Sequence, residues 1–495
     1  MTAPSSPFSR PLAIPFALVN AAITATLTVA ALMGSSAHPS VMILSGLLVL
    51  LLIWSLASWR ILGRNLFDPY VLFLISAFLF NAGQALLETA NLNSGDMLGG
   101  EFADELLRRT LLIVAAGLAG LHTGALIALA IRGTSQASAH ETQQRNWLRG
   151  VGWVSLAISV PAATIWLSQS VAIVSASGYA SLYDRDSSTG LSATPALLSS
   201  LLITGALFLT AGGRTRRLEA RFAAAVVMTF VVIQFYMGYR STAAMPLMAW
   251  AWLRHRAVRP IRGSVLLASA AVLLLVVFPV VKEMRDRSSL ERSLGEVSGN
   301  LLSADNPAVI SIDEMGQSMA TVAHTVARVP SERPFDYGVG YSYAALTLVP
   351  NLFWTVHPTI ARGTNSDWLV SVVSPWVALH GGGYGYSAIA EAYLNFGIAG
   401  PPVVMALVGI LLTTLVVWAE RTPNPARLAV VAVVLAFSLR FPRDELAGIL
   451  RPIVWYGFLP YFTAVIGPTV TRIVLRTRGV TRSGTSFSPQ LSRCE

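Results

Sequence analysis

Residues 264–281 read SVLLASAAVLLLVVFPVV, eighteen positions without a charge, bounded by Arg254, Arg256, Arg259 and Arg262 before and by Lys282 after. As a helix rising about 1.5 Å per residue the run is about 27 Å long, close to the roughly 30 Å hydrocarbon core of a bilayer. A helix also pairs its own backbone N–H and C=O groups, which lipid cannot do for it. The stretch is therefore read as a transmembrane helix, and the rest of the chain repeats its pattern.

Of the 495 residues, 54% are apolar and 12% charged, and the mean hydropathy is +0.60. Soluble domains carry roughly 25% charged residues, so a soluble multidomain enzyme is excluded. Hydropathy places twelve spans at about 11–33, 40–58, 69–88, 110–131, 150–174, 195–212, 220–237, 242–254, 264–281, 397–419, 428–440 and 452–467. The first of them follows Arg10 and ends near Ser35-Ser36-Ala37. Its apolar run of roughly 20 residues exceeds the 7 to 15 of a signal-peptide core, so it is read as a retained span.

The formal charge is +10, and all the basic residues except Lys282 are arginine. With this many spans, six basic loops fall on one side: Arg60/Arg64, Arg132/Arg145/Arg149, Arg214/Arg216/Arg217/Arg221, Arg254 to Arg262, Arg421/Arg427 and Arg472 to Arg482. That side is cytoplasmic by the positive-inside rule, which puts both termini inside. The opposite loops are acidic or mixed, as in Glu88 to Glu105 and the turn Asp184-Arg185-Asp186. This distribution explains the basic charge without nucleic acid, for which no basic stripe with stacking aromatics is present. Cys494, the single cysteine, has no partner for a disulfide.

The predicted fold is an all-α polytopic membrane protein with about twelve transmembrane helices. Its parts are spans 1 to 9 (1–281), a large external loop (282–396), spans 10 to 12 (397–467) and a basic cytoplasmic tail (468–495). A connection of about 115 residues is too long to lack structure. Within it Ser311-Ile312-Asp313-Glu314 matches a capping box, and Ile312, Met315, Met319, Val322 and Val326 recur at helical spacing until Pro330. Two stretches, 344–354 and 368–379, are too short to span and are expected to be interfacial or re-entrant. Six of the thirteen tyrosines lie in this segment. Tyr341, Trp376, Tyr384, Tyr386 and Tyr393 read either as an aromatic belt at the headgroups or as a platform for sugar faces.

Arginines on the external face need a reason, because desolvating them is costly. Arg240 follows Gly238-Tyr239 in a short turn, Arg285 lies just beyond the ninth span, Arg440 ends the eleventh, Arg443 follows Pro442, and Arg451 opens the twelfth. Guanidinium forks match phosphate oxygens bidentately, so Arg240, Arg285, Arg440 and Arg443 are candidate ligands of a phosphate or pyrophosphate. Glu391, an acid about two turns before a long apolar span, is a candidate general base. His380, one residue before the run Gly381-Gly382-Gly383, is its rival. No nucleotide-binding glycine loop, metal-binding aspartate cluster or histidine pair at ligand spacing occurs, so neither metal nor cofactor is expected. The substrate must then arrive already activated.

Several segments are similar to one family. These are Asp68-Pro69-Tyr70 with Phe80-Asn81-Ala82-Gly83-Gln84, Gly238-Tyr239-Arg240-Ser241, Glu314-Met315-Gly316-Gln317-Ser318, Tyr337-Gly338-Val339-Gly340-Tyr341, and Gly385-Tyr386-Ser387-Ala388-Ile389-Ala390-Glu391-Ala392-Tyr393-Leu394-Asn395-Phe396-Gly397. They resemble the O-antigen polysaccharide polymerase (Wzy) family. The resemblance implies a metal-independent inner-membrane glycosyltransferase that joins polyprenyl-diphosphate-linked oligosaccharide repeats on the external face. It further implies that Arg240 and Arg285 hold the diphosphate and Glu391 serves the acceptor, with membrane lipid, a chain-length regulator and a flippase as partners. An O-antigen ligase would share the chemistry and differ in product. A transporter or flippase would share the span number, but it would show internal repeats, and none is found.

Overall fold

A computed structural model describes residues 9–33, 39–93, 96–131, 141–182, 194–213, 216–286, 306–351, 354–421 and 424–479. Arg132, the Asp184-Arg185-Asp186 turn, Arg214, Arg482 and Cys494 lie outside them. The described residues contain helices and no strand. Eleven helices are long and apolar enough to cross a membrane. They are α1 (Leu12–Leu32), α2 (Val41–Ile61), α3 (Pro69–Thr89), α4 (Asp104–Ile131), α5 (Arg145–Ser177), α6 (Thr194–Gly212) and α7 (Arg217–Tyr236), then, beyond the helix α8 (Arg240–Ala257), α9 (Gly263–Arg285), and three more over Ala388–Glu420, Pro425–Arg443 and Leu446–Thr471.

The expected eighth span is also helical, α8 (Arg240–Ala257), but Arg240 at its start and Arg254, His255 and Arg256 in its last turn keep it below the apolarity of a free-standing span. Of the twelve expected spans, eleven have the length and apolarity to cross a membrane, and the eighth is a helix with polar ends.

Between α9 and the last three spans lie short helices: α10 (Pro307–Gly316), α11 (Ser318–Arg328), α12 (Val339–Leu346), α13 (Pro358–Arg362), α14 (Asn365–Val373) and α15 (Pro375–Leu379). α16 (Ala388–Phe396) then leads through a glycine at Gly397 into α17 (Gly400–Glu420). α18 (Pro425–Ser438) and α19 (Leu446–Thr471) end the described chain.

The capping box expected at Ser311 does not form. Helix α10 begins four residues earlier, where the Asn306 side chain accepts from Ala308 N–H and Pro307 occupies the first turn. Ser311 is instead an interior residue whose hydroxyl donates to the Leu274 carbonyl at 2.8 Å, tying α10 to α9. The true box is Thr364 with Asp367, which opens α14.

Helix α4 is the axis of the bundle, its apolar window 94% buried, and α1 and α17 flank it. Small residues allow the approach: a side chain at Gly120 or Gly124 would overlap the backbone of Pro402 or Ala406 on α17, and one at Gly409 that of Leu121. By contrast α9 is only 11% buried and projects apolar side chains such as Leu267 and Val272 outward. Where no water could reach, such a surface is stable only against lipid.

Candidate active site

At one end of the bundle Arg64 and Arg256 both bridge Glu420, at 2.8 Å for Arg64. Arg256 closes α8, so Arg240, which opens it, lies at the other end, where the candidate residues meet. Arg240 and Arg285, forty-five positions apart, grip the same oxygen of Glu314, Arg285 at 3.3 Å. The other oxygen of Glu314 is buried without a hydrogen-bond partner. The Arg285 guanidinium also lies 4.5 Å from the centre of the Tyr179 ring, a cation–π contact that fixes its plane. A side chain at Gly238, whose φ is +96°, would strike Arg285 and Tyr179, so the glycine is needed both for its backbone and for the space. Two guanidinium groups facing one carboxylate leave a net positive charge and an arrangement that fits an anion.

Glu314 is carried by α10, which docks on α3 where Gly83 meets Gly316. A side chain at Gly316 would come within 2.8 Å of the Gln84 nitrogen. Gln84 Nε2 donates to Asp313 Oδ1 at 2.7 Å across the same contact. Two of the segments singled out in the sequence, 80–84 and 314–318, are therefore one joint.

The turn 439–446, which carries Arg440 and Arg443, is strapped down from several sides. Ser76 Oγ donates to Leu439 O at 2.9 Å, Asn81 Nδ2 to Pro442 O at 3.0 Å, Tyr386 N to Arg443 O at 3.2 Å, and Leu446 N to Glu391 Oε2 at 2.9 Å. Ser387 completes the strap by donating to Asn81 Oδ1 and accepting from Ile389 N, which caps α16. Arg440 itself is paired with Asp444 at 2.7 Å, with more than half of its side chain exposed. The Arg443 guanidinium lies 6.0 Å from the centre of the Phe80 ring.

Glu391 is enclosed, 1% exposed, and its resolved role is to hold the first amide of α19. His380 stands apart: it is exposed, its Nδ1 bonds the Trp376 carbonyl at 2.8 Å and its ring lies on that of Trp376. Of the aromatic residues, Trp376 and Tyr384 are open at the surface. Tyr386 and Tyr393 are core residues whose hydroxyls bond Thr325 and the Val329 carbonyl, so neither ring offers a face to sugar. Tyr341 stacks on Phe396, and burial pushes its phenol up.

Sequence reading missed two groups here. Glu445, 8% exposed, accepts from Asn365 Nδ2 at 2.9 Å and Asn365 N at 3.3 Å, both on Oε2. Burial, reinforced by Asp444 and Asp367, pushes its carboxyl up to about 7. His324 on α11 lies against Glu101 at 3.3 Å, and burial with the nearby Arg328 charge holds it down to about 4, neutral at physiological pH. The signal for Glu445 was its place beside Pro442-Arg443 in a break between apolar runs; its enclosure comes from Asn365, eighty residues away.

A cavity of about 270 Å³ opens beside the strapped turn, walled by α5, α6, α7, α8, α18 and α19 and including Arg440 and Ser241, the residue after Arg240. Among the described residues no three His, Cys, Asp or Glu side chains gather as a metal-holding group. Neither a curated protein nor a solved structure matches the chain. The family model for the O-antigen polysaccharide polymerase Wzy matches residues 18–471. The arginine-lined mouth and the strapped turn thus lie in a chain that belongs to the O-antigen polysaccharide polymerase Wzy family.

Proposed function

We propose that this chain extends a surface polysaccharide by transferring a glycan from polyprenyl diphosphate to the next lipid-linked repeat, without a metal, on the external face of the inner membrane. The observation that carries it is the pair Arg240 and Arg285 converging on Glu314, on the end opposite the Arg64 and Arg256 bridges. In this reading Glu314 holds the two forks in place until the donor diphosphate takes over their positive charge, with Arg440 and Arg443 supplying more. An acceptor hydroxyl oxygen forms the new bond to the anomeric carbon as that carbon's bond to the diphosphate oxygen breaks. The electron pair leaves with the diphosphate, already a stable anion whose charge the guanidinium groups balance. In this reading the hydroxyl proton goes to Glu445, which sits in the turn that carries Arg440 and Arg443, is held there by Asn365, and has its carboxyl pushed up by burial. Glu391 is a positioning residue, acting through the Leu446 amide on the turn that carries the arginines. A chain-length regulator and a flippase are the partners this reading requires.

A strain lacking the chain tests the function. Lipid-linked single repeats should accumulate, and long polymer should return when the chain is supplied. Accumulation of full-length polymer on its carrier lipid would mean a ligase instead. The orientation is tested by cysteines at 340 and 258 in a Cys494→Ser background, of which an impermeant maleimide should label only 340 in whole cells.

A further inference from the structure

We propose that the cavity beside Arg440 is a subsite for a single sugar ring, the one joined to the donor diphosphate. The inference rests on the polymerase reading and names which part of its substrate this pocket takes. The key residue is Gln234, in the last turns of α7: it lines the cavity, is 0% exposed, and neither its amide oxygen nor its amide nitrogen has a hydrogen-bond partner. An amide left unpaired at both ends in a protein interior carries a desolvation penalty at each, which a ligand that pairs them removes. An amide offers a donor and an acceptor side by side, which is what adjacent hydroxyls of a sugar require. An isoprenoid chain has no atom that could satisfy either.

The rest of the wall agrees. Trp166, Phe230 and Phe437 supply aromatic surface for the apolar face of a ring, and Ser241 and Thr242 supply hydroxyls. The cavity contains one cation, Arg440, and no carboxylate, which suits a neutral sugar with an anion at its mouth. About 270 Å³ is just below the roughly 300–1,000 Å³ range of small-molecule sites, enough for one ring and too little for a whole repeat. Ser241 in the wall follows Arg240 in the chain, and in this proposal the sugar's linkage turns toward the guanidinium pair.

The test uses the full chain in nanodiscs with Ser200→Cys, a wall position, in the Cys494→Ser background. A small neutral methanethiosulfonate reports access to the cavity. Lipid-linked repeat extracted from the source cells should slow the labelling, while polyprenyl diphosphate without sugar should not. Gln234→Leu should weaken this protection about tenfold, the worth of one well-made polar contact. The variant should fold at least as well as the parent, because it removes an unpartnered group. Ile203→Phe, which fills the cavity from another wall, should also abolish protection. Equal protection by bare polyprenyl diphosphate, no protection by either lipid, or protection that survives both variants overturns the proposal. Elongation by a wild-type chain that shows no protection would leave the polymerase reading standing and remove this site; protection without elongation would do the reverse.

Discussion

The strapped turn and the arginine mouth lie side by side, yet they satisfy their polar groups in opposite ways. Around the turn, Ser76, Asn81, Tyr386, Ser387 and Glu391 each spend a donor or acceptor on protein, and the backbone carbonyls of Leu439, Pro442 and Arg443 are all paired. At the mouth, a Glu314 oxygen and both ends of the Gln234 amide are buried without partners, and a cavity adjoins them. Buried polar groups are usually paired, so an unpaired one beside a cavity asks for a reason. In the proposed reading this difference becomes a division between residues that build the site and residues that meet a ligand, with Glu391 in the first set and Arg240 and Arg285 in the second.

Substitutions at five places would sharpen or break that division. The largest effect is expected at Glu445. Replacing it with Gln should lower turnover by a factor of about 100 to 10,000, the usual worth of a general base. In the parent, turnover should rise as pH passes about 7 and then level off, because the carboxylate form is the active one. Stability runs the other way: the folded chain holds this proton more tightly than the unfolded one, so the contribution of Glu445 falls as pH rises from 4.5 towards 7. A flat pH profile in the parent would remove Glu445 from the reaction.

Next comes the guanidinium pair. Arg240→Ala or Arg285→Ala should cost about 3 kcal/mol of transition-state stabilisation, over 100-fold in rate. Lys should rescue poorly because it lacks the fork. Glu314→Gln should tighten apparent binding of the lipid donor, since the arginines lose their competing carboxylate. Measured KM for lipid-linked repeat checks both.

Smaller effects are expected in the strap. Asn81→Ala removes the bond to Pro442 O and should destabilise the chain by about 1–3 kcal/mol, read as a lower unfolding midpoint. Glu391 gives the finest test. Gln can still accept the Leu446 N–H, so Glu391→Gln should keep turnover within a few-fold of the parent while Glu391→Ala falls further. Loss of turnover as deep in Gln as in Ala would make Glu391 the base after all.

How far these roles could be read in the sequence depends on how locally each is determined. The spans were legible because a charge-free run of eighteen or more residues has few alternatives in water, as 264–281 illustrates. That Arg240 and Arg285, far apart in the chain, lie at one end of the bundle followed from counting spans. Glu314 as their shared partner did not, because its position depends on how α10 docks on α3 through Gly83 and Gly316. The helix start at Asn306-Pro307 was a stronger local signal than the S-x-x-E at Ser311, and packing against α9 made Ser311 an interior residue. The tyrosines at 386 and 393 read as surface aromatics because their hydroxyls suggest an interface; the structure satisfies those hydroxyls inside. Gln234, one polar residue within an apolar span, gave no local hint that it lines a cavity with its amide left unpaired.

The central claim is that Arg240 and Arg285 at the mouth bind a diphosphate donor, and that the hydrogen bonds strapping the neighbouring turn hold its charged residues in place. Its most direct test is elongation of a polyprenyl-diphosphate repeat by the purified chain, run beside unfolding curves for the parent and Arg285→Ala. The account predicts a ladder of lengthened products from the parent, its loss in Arg285→Ala, and an unchanged unfolding midpoint. A ladder of equal strength from Arg285→Ala, or none from a folded parent, would contradict it.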